Sequence, residues 1–124
     1  MNGDLLIVAN NDLHGAADNT ATELVDRFSD LSPEEQIATG FSEVVWVRST
    51  PGNILEMVWH EPRQITVLFL PNSFAHQAEI LARLVSSSRV RIVLVSRPPL
   101  KRIPGVVVIP APEGALSFDL IRRH

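Results

Sequence analysis

Asp12 and His14, separated by Leu13 in the string LLIVANNDLHG, are the side chains whose types and spacing come closest to chemistry. A carboxylate and a neutral imidazole on a loop after an apolar strand can share a divalent cation, which can then activate water. A hydrolytic zinc centre takes about three protein ligands, and these two supply only part of a set. The chain holds four histidines in all. It has no cysteine, which excludes disulfides, thiolate metal sites and cysteine nucleophiles. No G-x-G-x-x-G string or Walker P-loop occurs, and Ser73 does not sit in a nucleophile elbow. Asp12 and His14 are therefore read as polar loop residues, with no catalytic residue, metal or cofactor assigned.

The elements that must position any such group are strands alternating with helices. The most informative is Gln64–Val85, QITVLFLPNSFAHQAEILARLV. Ile65 to Leu70 is apolar almost without interruption, so both faces of this strand should be covered, as in a parallel sheet between helical layers. Pro71-Asn72-Ser73 turns the chain, and Asn72 or Ser73 can cap a helix whose apolar stripe is Phe74, Ala78, Leu81 and Val85. Asp4–Ala9, Glu43–Arg48, Arg89–Ser96 and Val106–Ile109 read as the other strands. Thr20 and Glu23 have capping-box spacing ahead of a helix carrying Leu24, Val25 and Phe28. Ser32-Pro33-Glu34-Glu35 opens a second, short helix that should stop at Gly40. Thr50-Pro51 opens a third, ending near His60 because Pro62 cannot continue it, and a last helix should use Leu116, Leu120 and Ile121. This pattern predicts one domain over residues 1–124, a three-layer α/β/α sandwich with a five-stranded, mostly parallel sheet of order 2-1-3-4-5. Arg97–Gly105 holds three prolines in nine residues, too short and broken for a crossover helix. The fifth strand therefore either crosses by an extended loop or returns antiparallel to the fourth.

In such a sheet ligands bind outside the C-terminal ends of the strands, where the order reverses. The candidate ligand-binding residues on that rim are Asn10, Asn11, Asp12, His14, Thr50, Asn72, Ser73, His76, Ser96 and Arg97. Helix starts after Thr50 and Asn72 would offer free backbone amides to an anion.

Two resemblances bear on the same rim. The strand and Asp-x-His-Gly of LLIVANNDLHG resemble the first metal-binding motif of the metallophosphoesterases and 5′-nucleotidases, which implies Asp12 and His14 as ligands. The resemblance covers about eleven residues, and the later Gly-Asp, Gly-Asn-His and Gly-His-x-His motifs are missing: Gly52-Asn53 is followed by Ile54, so the imidazole the resemblance implies there is absent. Length, strand order and helix placement resemble a response-regulator receiver domain. Receivers carry an acidic pair after the first strand, a phosphorylated Asp after the third, Ser or Thr after the fourth and Lys after the fifth. Those positions here read Ala9-Asn10 (or Asn10-Asn11-Asp12), Pro71-Asn72, Ser96 and Pro110-Ala111-Pro112, and only Ser96 fits. The resemblance implies a degenerate, flavodoxin-like pseudo-receiver that lacks its phospho-acceptor, with little to hold Mg²⁺.

The net charge of −3 conceals a division. Residues 1–79 carry twelve carboxylates against three arginines, a formal −9. Residues 80–124 carry eight basic side chains against two acids, a formal +6. Such asymmetry can mark a partner surface, including a second copy, and Lys101, Arg102, Arg122 and Arg123 are the candidate partner-binding residues. A nucleic-acid surface is disfavoured, because no tyrosine exists to stack bases and the five Phe and two Trp read mostly as core. The longest apolar runs are far short of a membrane span and the start lacks the basic region of a secretory signal, so a cytoplasmic protein is expected. The function expected is a non-catalytic regulatory or protein-interaction module, with a protein partner or homo-oligomer. The alternative is a small-ligand or nucleotide-phosphate site, hydrolytic or not, using Asp12, His14, Ser73, His76 and Ser96.

Overall fold

Ile65–Phe69 is buried at all five positions, as its unbroken apolar run requires, and the other elements are arranged about it. The computed structural model describes residues 3–10, 20–48, 51–70, 75–85 and 87–123. In chain order the elements are β1 Asp4–Asn10, α1 Thr20–Asp30, α2 Pro33–Thr39, β2 Phe41–Arg48, α3 Pro51–His60, β3 Ile65–Phe69, α4 Ala75–Leu84, β4 Val90–Ser96, β5 Val107–Pro110 and α5 Phe118–Arg123. The five strands form one sheet of order β2-β1-β3-β4-β5, and every pairing is parallel. Val8 of β1 sits between Trp46 of β2 and Leu68 of β3.

Alternation along the strands divides the core in two. Leu6, Val8, Leu68, Val93, Val95 and Ile109 face α1 and α5, meeting Leu24, Phe28 and Ile121. Leu5, Ile7, Val67, Phe69, Ile92 and Leu94 face α3 and α4, meeting Ile54, Val58, Ala78 and Leu81. The helices thus lie on both faces, and the architecture is a three-layer α/β/α sandwich of the flavodoxin-like kind. Each buried Val, Leu, Ile or Phe among them contributes roughly 1.5–3 kcal/mol. Among the described residues no helix is long and apolar enough to cross a membrane.

The segment 97–106 settles the direction of β5. It crosses as an extended loop, and β5 runs parallel to β4 with Val93 opposite Val107. Ile103, 8% exposed, is buried in the same core layer as the apolar faces of α3 and α4, where a crossover helix would otherwise put its apolar stripe. Gly105 takes φ 79°, and the Val106 N–H donates to the Ile103 carbonyl at 3.1 Å.

Three local expectations change. Thr20 is already helical in α1, so it stands within the first turn rather than before it as a cap. Leu116 precedes α5 instead of belonging to it, yet it is buried against α1 in the first core. β2 begins at Phe41, two residues earlier than the apolar pattern suggests.

The short α2 follows its sequence signals closely. Ser32 Oγ accepts from Glu35 N at 3.2 Å and Glu35 Oε1 accepts from Ser32 N at 3.0 Å. Gly40 ends the helix at φ 87°, a left-handed conformation that costs a non-glycine residue about 1–2 kcal/mol. A Cβ there would also meet Arg122 Nε at 2.7 Å.

Candidate functional site

At the C-terminal ends of β3, β4 and β5 the chain leaves a cleft of about 550 Å³ on the α1 side of the sheet. Its floor is apolar: Leu70 follows β3, Val95 belongs to β4, and Ala111 and Leu116 flank the turn after β5. That turn is tied to the sheet by the Ala111 N–H, which donates to the Ser96 carbonyl at 2.9 Å. One wall is α1, which presents Thr20, Glu23 and Arg27, spaced i, i+3 and i+7 along one helical flank. They lie beside the buried stripe of Ala21, Leu24 and Phe28. Arg97, exposed just past β4, supplies the facing charge.

Arg27 is the unusual residue of this wall. Glu23 precedes it by one turn, in the order that favours an ion pair on a helix, yet no such pair forms between them. The guanidinium turns inward instead. Its Nη2 donates to the Leu116 carbonyl, and its Cζ lies 5.5 Å from the centroid of the Phe118 ring. Its Nε is buried and has no hydrogen-bond partner, the one such side-chain atom among the described residues. Arg97 likewise has no ion pair among the described residues. Two guanidiniums and one carboxylate around an apolar floor can bind an anionic group bidentately while Glu23 accepts from a donor elsewhere on the same molecule.

Of the sequence-derived rim residues, the structure brings Arg97 into the cleft. Asn10 ends β1. Ser96 is half-buried, and its Oγ donates to the Arg97 carbonyl at 3.1 Å. His76 is exposed in the first turn of α4, on the opposite face of the sheet from the cleft. Asn11, Asp12, His14, Thr50, Asn72 and Ser73 lie outside the described residues. Among those described, no group of three or more His, Cys, Asp or Glu could hold a metal ion. The sequence reading missed Thr20, Glu23 and Arg27 as site residues, taking the first two as a cap. The available signal was their spacing, a polar stripe adjoining the apolar one.

The basic residues of the second half divide by role. Arg89 caps α3 from the start of β4: Nη2 donates to the Val58 carbonyl at 3.3 Å and Nη1 to the carbonyls of Glu61 and Arg63. Arg91 does the same for α5, donating to the carbonyls of Ile121 and Arg122. Burial pushes the Arg91 guanidinium pKa down, and nearby Arg122 adds to this. Arg122 pairs with Asp4 and lies over the Phe41 ring, at the end of the sheet opposite the cleft. Arg123 ends α5. Lys101 and Arg102 are exposed on the extended loop. No family model matches the chain, and no curated protein or solved structure is significantly similar to it.

Proposed function

We propose that the protein is a regulatory module of receiver-like architecture that senses a small organic anion in the cleft between α1 and the ends of β3, β4 and β5. The observation that carries this reading is the pair of guanidiniums there: Arg27, whose Nε is buried and lacks a hydrogen-bond partner among the described residues, and Arg97, which lacks an ion pair among them. A buried donor left unpaired costs about 1–3 kcal/mol, and a guanidinium held beside a cleft is a ready partner for carboxylate or phosphate. The cleft falls within the roughly 300–1,000 Å³ typical of small-molecule sites. Glu23 adds a preference for a ligand that also carries an N–H or hydroxyl donor, as a nucleotide or an amino-acid derivative does. The position on the rim supports the reading, because open parallel sheets place ligands there. Signal is read out through a protein partner rather than by phosphorylation, since Pro71 or Asn72 stands at the acceptor position.

Thermal melting against a panel of mononucleotides, inorganic phosphate and dicarboxylates tests it. A ligand at a hundred times its Kd stabilises the folded state by about 2.7 kcal/mol, a rise of several degrees. Arg97→Ala is expected to weaken the bound ligand at least about tenfold, the loss of one charge-assisted hydrogen bond, without changing the ligand-free melting temperature. A panel without any shift, or a shift that survives Arg97→Ala, would overturn the proposal.

A further inference from the structure

The sheet order places β2 at one edge and β5 at the other, and the two edges carry opposite exposed charge. At the first edge α2 lies against β2 and α5, yet none of its residues is buried. It is a helix held by its caps rather than by its packing. Ile37 on α2 is 78% exposed, Glu34 one turn before it on the same helix and Asp30 at the end of α1 are exposed as well, and neither carboxylate has an ion pair among the described residues. At the second edge the loop after β4 presents Leu100, 47% exposed, followed by exposed Lys101 and Arg102. Both cations also lack an ion pair among the described residues. Ile103, buried in the core, anchors the loop directly after them and so fixes where they stand.

We infer that these two surfaces are complementary halves of one interface, in which the Leu100–Arg102 loop of one copy docks on the α2 surface of a second. Each side offers one exposed aliphatic side chain and two charges of a single sign that are unpaired among the described residues, and the signs are opposite. The match is between different surfaces, so the contact is heterologous. Each bound pair leaves one α2 surface and one loop free, and copies add head to tail unless the rotation closes a ring. A loop against a two-turn helix is a small contact, below the ~1,200 Å² of stable interfaces, so the association is weak and driven by charge. Arg97 belongs to the cleft and not to this contact, which keeps the test independent of ligand binding.

Sedimentation velocity of the full chain decides it. The Debye length shrinks from about 30 Å at 0.01 M salt to about 3 Å at 1 M, so the wild type should associate at low salt, with its dissociation constant rising at least about tenfold at high salt. Two surface variants locate the contact: Leu100→Ala/Lys101→Ala/Arg102→Ala removes one half and Asp30→Ala/Glu34→Ala/Ile37→Ala removes the other. All six side chains are exposed, so both variants should melt like the wild type. Each alone is expected to be monomeric at low salt. Their equimolar mixture should form a 1:1 dimer and stop there, because one intact loop meets one intact α2. Wild type that stays monomeric at low salt, variants that associate unaided, or a mixture that stays monomeric would each overturn the inference.

Discussion

Arg27 Nε is buried without a hydrogen-bond partner among the described residues, and the consequence can be measured one residue at a time. In Arg27→Met the bond to the Leu116 carbonyl and the contact with Phe118 are lost, while the unsatisfied donor is removed with them. Those effects are each about 1–3 kcal/mol and opposite in sign, so the ligand-free unfolding free energy should change by no more than about 2 kcal/mol. The ligand-induced rise in melting temperature should vanish. A large loss of ligand-free stability with the ligand response intact would make Arg27 a structural strut and nothing more. This residue also marks how far the site was legible in the sequence. Arg97 was found because strand ends can be placed from an apolar run. Arg27 was not, because Glu23 four residues earlier makes it look like half of a solvated helical pair. Only the geometry after β5, where Leu116 presents its carbonyl, turns it inward.

Arg63 joins three elements, and the pH dependence of that junction follows from its contacts. It grips Glu61 bidentately, Nε to Oε2 at 2.8 Å and Nη2 to Oε1 at 2.7 Å. It also reaches Glu43 at 2.8 Å and Ser42 at 3.0 Å on β2. The turn between α3 and β3 is thereby fastened to the edge strand. The Arg63 guanidinium, and then its backbone N–H, hold the Glu61 carboxyl at about 2, down from the usual 4.5. A carboxylate whose folded pKa is depressed contributes stability that is fully present above the unfolded value and lost as pH falls through the folded one. The melting temperature of the wild type should therefore exceed that of Glu61→Gln at neutral pH. The gap should close as pH falls from about 4.5 to about 2. A gap that stays constant over that range would show that Arg63 does not act through the Glu61 charge. Most elements at this scale were legible, since unbroken apolar runs mark strands covered on both faces and Ser32 and Gly40 bracket α2. The direction of β5 was not. Three prolines in 97–105 exclude a helix but leave the return path open, and the parallel one lets Ile103 enter the core layer shared with α3 and α4.

The molecule as a whole consists of two apolar layers that share the strands but not their side chains. Ile121 of α5 is buried in one layer and Ile54 of α3 in the other, with the sheet between them, and each is at most 1% exposed. β1, β3 and β4 contribute alternate residues to both layers, so neither can open without exposing the strands that the other covers. This geometry makes two distinct expectations. Unfolding should be a single cooperative transition, because the backbone hydrogen bonds of the sheet are common to both layers. The energetic effects of trimming each layer should nevertheless be independent, since side chains separated by a sheet share no partner. Ile54→Val and Ile121→Val each remove one methylene from a tight site, at a cost of about 0.5–1.5 kcal/mol. In denaturant unfolding each should lower the midpoint with the slope unchanged, and the double variant should show the sum of the two losses to within about 0.5 kcal/mol. Fluorescence of Trp46 and Trp59, which lie on β2 and α3, and far-ultraviolet dichroism should report the same midpoint for every variant. Two separate transitions would mean that one helical layer melts off an intact sheet. A double variant well short of additivity would mean that the layers are coupled through movement of the strands themselves.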